Sequence, residues 1–124
     1  MLSARCAVLA ALLCSSARCA VLAAVYSTAQ TSFRSASFAL RSLAAELAEF
    51  GIRVNAVAPG PIPTEVFVKF FEVEEKDLPE LAVTLGIPLG RLGDPQDIAP
   101  AVVYLASDAS SWMTGKTMTI AGGL

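Results

Sequence analysis

The stretch GIRVNAVAPGPIPT, residues 51–64, constrains the fold more than any other part of the chain. Ile52, Val54, Ala56 and Val57 are β-branched or small apolar residues of the kind that fill a buried parallel strand. Pro59, Pro61 and Pro63 have no amide to give a central ladder, so the strand must end near Ala58. Open α/β sheets take their ligands in the crevice beyond the carboxyl ends of the strands. A rigid Pro-Gly-Pro turn at that point, closed by the hydroxyl of Thr64, is therefore a candidate cofactor wall. The same residues also suit a plain strand-to-loop turn, and by themselves they leave both readings open.

The flanking segments supply helices. From residue 32 to 50 the apolar residues Phe33, Ala36, Ala39, Leu40, Leu43, Ala44 and Leu47 recur at helical spacing, with Arg34, Arg41, Glu46 and Glu49 opposite and Gly51 as a stop. Asp94 followed by Pro95 reads as an N-cap and first-turn proline, and Asp97 places negative charge where the helix dipole favours it. Ile98, Ala101, Val102, Leu105 and Ala106 then form a buried stripe, and residues 117–121 a last short strand ended by Gly122 and Gly123. Between these, residues 65–85 mix Phe67, Phe70 and Phe71 with a run of carboxylates. This mixture suits a partly helical flap or an amphipathic helix with solvated acids.

The amino end is unusual: SARCAVLAA occurs at residues 3–11 and again, identically, at 16–24. Two copies of so short a unit do not imply a solenoid. Three readings compete: a targeting leader, since the region has arginines and no acids; a membrane span, interrupted by Arg18 and the Ser15-Ser16 pair; and a buried strand over residues 7–14. Net charge is −2, but it is unevenly spread. Up to Ala45 the only charges are four arginines, whereas from Glu46 onward five basic residues face eleven acidic ones. No basic cluster suited to a phosphate backbone appears, so nucleic acid is not an expected partner. Without histidine, and with Cys6, Cys14 and Cys19 in no CxxC pair, no metal site is expected. The three thiols point to a reducing compartment. The cytoplasm is expected, or a mitochondrial or secreted location if residues 1–25 are a leader.

The runs LRSLAAELAEFGIRVNAVAPGPIPT and PLGRLGDPQDIAPAVVYLASDASSWMTGKTMTIAGG together resemble the C-terminal half of a short-chain dehydrogenase/reductase (SDR), with several motifs in family order. The fold that this implies is α/β: a partial Rossmann-like three-layer arrangement of parallel strands with flanking helices. Residues 1–31 would form a divergent duplicated segment and residues 32–124 the SDR-like half-domain. The family's strand order would set strands near Ala7, Ile52 and Thr117 side by side, leaving the first as an unpaired edge. No Gly-rich phosphate loop opens a helix after a strand; Gly86, Gly90 and Gly93 share a similar spacing but read as a linker between helices.

The implied activity is oxidation or reduction of a small-molecule alcohol or carbonyl with NAD or NADP. The resemblance sets the backbone of Ile62 against the nicotinamide carboxamide, with Pro59 and Gly60 shaping the turn and Thr64 giving a hydroxyl. Carried back without gaps, it puts the catalytic serine on Ser16, but the tyrosine position falls on Ala29 and the lysine position on Phe33. Alternatively Tyr26 is the tyrosine, and Gln30 then occupies the lysine position. Neither register supplies the ammonium that acidifies the phenol. The expectation is an oxidoreductase that is truncated and weak or inactive alone. The alternative is a pseudoenzyme fragment acting as an interaction partner, through homo-oligomers or pairing at an exposed sheet edge.

Overall fold

The computed structural model describes residues 8–14, 19–25 and 30–124, the first two segments and the opening of the first helix by backbone course alone. The elements follow in the order β1 (Val8–Cys14), β2 (Cys19–Val25), α1 (Gln30–Ala48), β3 (Arg53–Pro59), α2 (Glu65–Phe71), α3 (Leu78–Thr84), α4 (Pro95–Ala106) and β4 (Thr117–Ile120). They form one sheet in the order β1-β2-β3-β4. β2 and β3 are parallel, as are β3 and β4, while β1 runs antiparallel on the outer side of β2. The expected α/β class with parallel strands and flanking helices is the observed one.

One strand assignment needs correcting. The strand expected over residues 7–14 exists as β1, but it does not neighbour the middle strand. The second copy of the repeat, β2, does, with Cys19 opposite Arg53 and Ala23 opposite Val57. The two copies are chemically alike, so apolar pattern could not choose between them. Connection length decides: only four residues separate β1 from β2, enough for an antiparallel hairpin and far too few for a parallel crossover. The long link through α1 instead joins β2 to β3 as a βαβ unit.

Alternation along β3 builds the two cores. Val54 and Ala56 are buried against Leu40 and Ala44 of α1, with Leu47 and Ile52 packed alongside. Val57 faces the other way, buried against Leu105 of α4 among Ile98, Val102, Met113, Met118 and Ile120. Period-2 side-chain placement thus gives each face of one strand its own helix, which is the expected three-layer arrangement.

α1 starts two residues earlier than the sequence suggests. Gly51 closes it in the left-handed region, φ 68°, its amide bonding to the Ala48 carbonyl at 2.9 Å. Its buried stripe is narrower than the periodicity implied. Leu40, Ala44 and Leu47 turn inward, but Ala39 is exposed and Leu43 is 43% exposed. The ridge at spacing i, i+4, i+7 is enough to cover the two β3 residues on that face.

Two polar residues in β3 stitch the core together. Asn55, fully buried, donates from Nδ2 to the Met113 carbonyl (2.8 Å) and accepts the Lys116 amide at Oδ1 (3.2 Å). Its side chain adds to the backbone bonds that continue below Thr117, from the Ala56 amide to the Lys116 carbonyl at 2.8 Å and from the Gly115 amide to the Val54 carbonyl at 2.7 Å. The Arg53 guanidinium donates to the carbonyls of Leu105 and Ser107, both at 3.0 Å, to the Met113 carbonyl at 3.2 Å and to Ser110 Oγ at 2.9 Å. These carbonyls include the open end of α4, where a cation is favoured by the helix dipole. The fork therefore ties β3 to α4 and the following turn.

Candidate functional site

β3 ends where the prolines require it to end. Pro59 is the last paired residue, opposite Ile120, and the Gly60 amide adds one more bond to the Ile120 carbonyl at 2.8 Å. A Cβ at Gly60 would lie 2.7 Å from the Ala121 Cα and 2.9 Å from its Cβ. Glycine is needed here for close backbone approach, so the two strand ends can touch. The Pro61 carbonyl accepts the Gly93 amide (3.0 Å), and the Thr64 amide reaches back to the Ile62 carbonyl (2.8 Å), closing a three-residue turn over Pro63. Thr64 Oγ1 accepts the Phe67 amide at 3.3 Å and so caps α2.

Beyond this turn lies a cleft of about 160 Å³, lined mainly by apolar side chains and backbone: Gly60, Pro61, Ile62, Leu89, Ile98 and Gly122 among them. The structure thus brings Gly60 and Ile62 together on one wall, with Pro59 and Thr64 flanking the turn outside the lining. The opposite wall is the GIPLGRLG loop. It is a connection between α3 and α4, as expected, and not a phosphate loop. Its packing is closer than a linker's: Ile87 is buried, the Leu89 amide bonds to the Gly122 carbonyl (3.1 Å), and Gly86 and Gly90 take the left-handed turns, φ 68° and 69°. In the expected flap, residues 65–85 form α2, a 3₁₀ turn and α3; Phe67 is half-buried, and the side chains of Phe70 and Phe71 lie outside those described.

The cleft's one ion pair went unnoticed in the sequence. Arg91 grips Asp97 with both arms of its fork, Nη1 to Oδ2 at 2.7 Å and Nη2 to Oδ1 at 2.8 Å. Asp97 also accepts the Asp94 amide at 2.8 Å while Asp94 accepts the Gln96 amide, so the two acids form a capping box at the start of α4. The spacing of Asp94 and Asp97 was the available signal. The hydrogen bond from Arg91, helped by that from the Asp94 amide, lowers the Asp97 carboxyl from 3.8 to about 2. A carboxyl depressed on folding adds stability that is full above pH 3.8 and is lost as pH falls through about 2. Asp97→Asn is therefore expected to flatten the acid limb between those values. Urea midpoints taken down that range for both proteins check it, and parallel losses would contradict it.

Ser16 and Tyr26 lie outside the described residues, as does Ala29; Phe33 falls within α1. Among the described residues no group of His, Cys, Asp and Glu could hold a metal ion, and no helix is long and apolar enough to cross a membrane. The nicotinamide end of a dinucleotide fits the turn: the Ile62 amide has no partner among the described residues, and the surrounding wall is apolar. For the phosphate end, among the described residues no Gly-rich turn opens a helix after a strand.

Known proteins bear on this arrangement directly. A family model described as enoyl-(acyl carrier protein) reductase matches residues 3–124. The 7α-hydroxysteroid dehydrogenase of Escherichia coli K12 is 41% identical over 95 residues, covering 75% of this chain and 35% of that enzyme. An NADPH-bound short-chain oxidoreductase of Pseudomonas aeruginosa PAO1, described as containing an atypical catalytic centre, superposes with a TM-score of 0.67 at 36% identity, over 73% of this chain and 36% of that one. A 7α-hydroxysteroid dehydrogenase complexed with NADH and 7-oxo glycochenodeoxycholic acid gives 0.66 at 33% identity, over 85% and 44%. The chain spans well under half the length of the curated relatives it matches. With the family match running to the final residue and the relatives agreeing in sequence and fold alike, the chain belongs to the short-chain dehydrogenase/reductase family of oxidoreductases.

Proposed function

We propose that this chain carries the nicotinamide-facing part of an NAD(P)-linked oxidoreductase acting on a small alcohol or carbonyl compound, and that alone it is weak or silent. The observation that carries the reading is the residue 59–62 turn, set beyond the carboxyl ends of two parallel strands, with an Ile62 amide that has no partner among the described residues. Relatives solved with NADPH and with NADH support the cofactor class. A nicotinamide, when bound, would supply or accept the hydride. The Ile62 backbone would meet its carboxamide, Pro59 and Gly60 would shape the turn, and Thr64 would lend a hydroxyl.

A proton donor for the developing alkoxide is the weaker part. Tyr26 follows Val25, and β2 runs toward the Pro59 end of β3, with Ala23 already level with Val57. Tyr26 is the candidate proton donor and Ser16 the candidate to orient the carbonyl, both outside the described residues. With Gln30 or Phe33 where the family keeps its lysine, neither register supplies the ammonium that assists the phenol, in keeping with weak activity.

Titration with NADH and NADPH tests the reading: saturable fluorescence enhancement is expected, and an unchanged signal at millimolar cofactor would refute it. Where turnover is measurable, Tyr26→Phe is expected to lower it about 100-fold, the share typical of a positioned acid, and unchanged turnover would exclude Tyr26. The second reading, a non-catalytic partner, draws on β1, which among the described residues has a neighbour on one side only. Light scattering after size exclusion counts against it if the protein is a clean monomer. We assign the chain to a reducing compartment, the cytoplasm foremost.

A further inference from the structure

We propose that Cys14 and Cys19 are a modification site: a reversible cross-strand disulfide that staples the outer hairpin. The hairpin register sets Cys14 directly opposite Cys19 as the last pair before the connection. Residues opposed in an antiparallel ladder have Cα atoms about 4.5–5.5 Å apart. A disulfide spans Cα separations of about 4.4–6.8 Å, a range that includes this one. The pairing is not a by-product of the repeat. Cys6 and Cys19 are the equivalent cysteines of its two copies, whereas Cys14 lies outside the repeated unit, and only the hairpin brings it to Cys19.

The oxidant class is a low-molecular-weight disulfide such as oxidised glutathione. The Cys19 thiolate attacks one glutathione sulfur, forming a mixed disulfide and expelling a glutathione thiolate. The Cys14 thiolate then attacks the Cys19 sulfur, the new S–S bond forms and the second glutathione leaves. Two protein thiols are oxidised, one glutathione disulfide is reduced to two thiols, and the two protein protons pass to them. The consequence is local: β2 is the strand beside β3, and the bridge fixes its pairing with β1 at the end level with Arg53.

The full chain, incubated with oxidised glutathione, alkylated and digested with trypsin, reads this out. Cleavage after Arg5, Arg18 and Arg34 separates Cys14 from Cys19, so the bridge joins peptides 6–18 and 19–34. Two of the three thiols should resist alkylation, and dithiothreitol should restore them. The link should persist in Cys6→Ser and vanish in Cys14→Ser. Three free thiols, glutathione adducts without a bridge, a link through Cys6 or a bridge between two chains would each overturn the proposal. The unmutated protein alone decides between most of these outcomes, so a poorly folding variant does not protect it.

Discussion

Trimming Leu105 to alanine is expected to cost about 3 kcal/mol of folding stability, within the range of about 2–5 for buried leucines. Leu105 has no exposed surface and meets Val57 at the centre of the α4 face. Its own carbonyl is held by Arg53, so the helix end cannot readily shift to fill the hole. Small domains have only about 5–15 kcal/mol in total, which makes this a large share. Two residues back on the same helix, Val103 is 67% exposed, and Val103→Ala is expected to stay within about 0.5 kcal/mol. Urea unfolding of the two variants separates the cases. A Leu105→Ala loss under about 1 kcal/mol would mean that α4 does not pack on β3 as described.

That helix was legible because each local signal agreed with its neighbours: an aspartate cap, a proline in the first turn, and an apolar stripe running to Leu105 and Ala106. β3 was legible for a similar reason, since its prolines fix where pairing stops. β1 and β2 were not, because identical sequences carry identical patterns. Choosing the strand that neighbours β3 took the length of two connections, a property of the whole topology. Arg53 and Asn55 were missed because a polar residue in a buried strand has meaning only through its partners, here nearly sixty residues away. They stood out as the polar positions in an otherwise apolar run.

Gly60→Val is the second large expectation. Any Cβ at this position would meet the Ala121 backbone at 2.7 Å, and valine adds two methyl groups to the collision. The ends of β3 and β4 must part, at a cost of about 3 kcal/mol, the upper range for overpacking. The Gly60 amide would lose its 2.8 Å bond to Ile120, and the wall of the cleft would move with it, so cofactor fluorescence enhancement should disappear. Gly90→Ala is the contrast. Nothing lies within 4 Å of its Cβ position, but its φ of 69° disfavours any side chain, so about 1 kcal/mol should be lost and cofactor binding kept. Ala121→Gly should rescue Gly60→Val only in part, because the Ala121 Cα remains in place. Equal effects at Gly60 and Gly90 would show that the close approach at the strand ends is not what position 60 requires.

The candidate site was half legible. Its turn announces itself through composition, and Gly60 and Ile62 do share a wall of the cleft. The loop of residues 86–93 looked like a mere connection because its role depends on bonds to Pro61 and Gly122, which no local pattern encodes.

The proposed nicotinamide shelf is tested most directly by following backbone amides by nuclear magnetic resonance while NADH is added to the unmodified chain. The account predicts that the Ile62 amide shifts most, with Gly60 and Gly93 following and the exposed surface of α1 around Phe38 still. Shifts centred away from the residue 59–62 turn, or none at millimolar NADH, would contradict it.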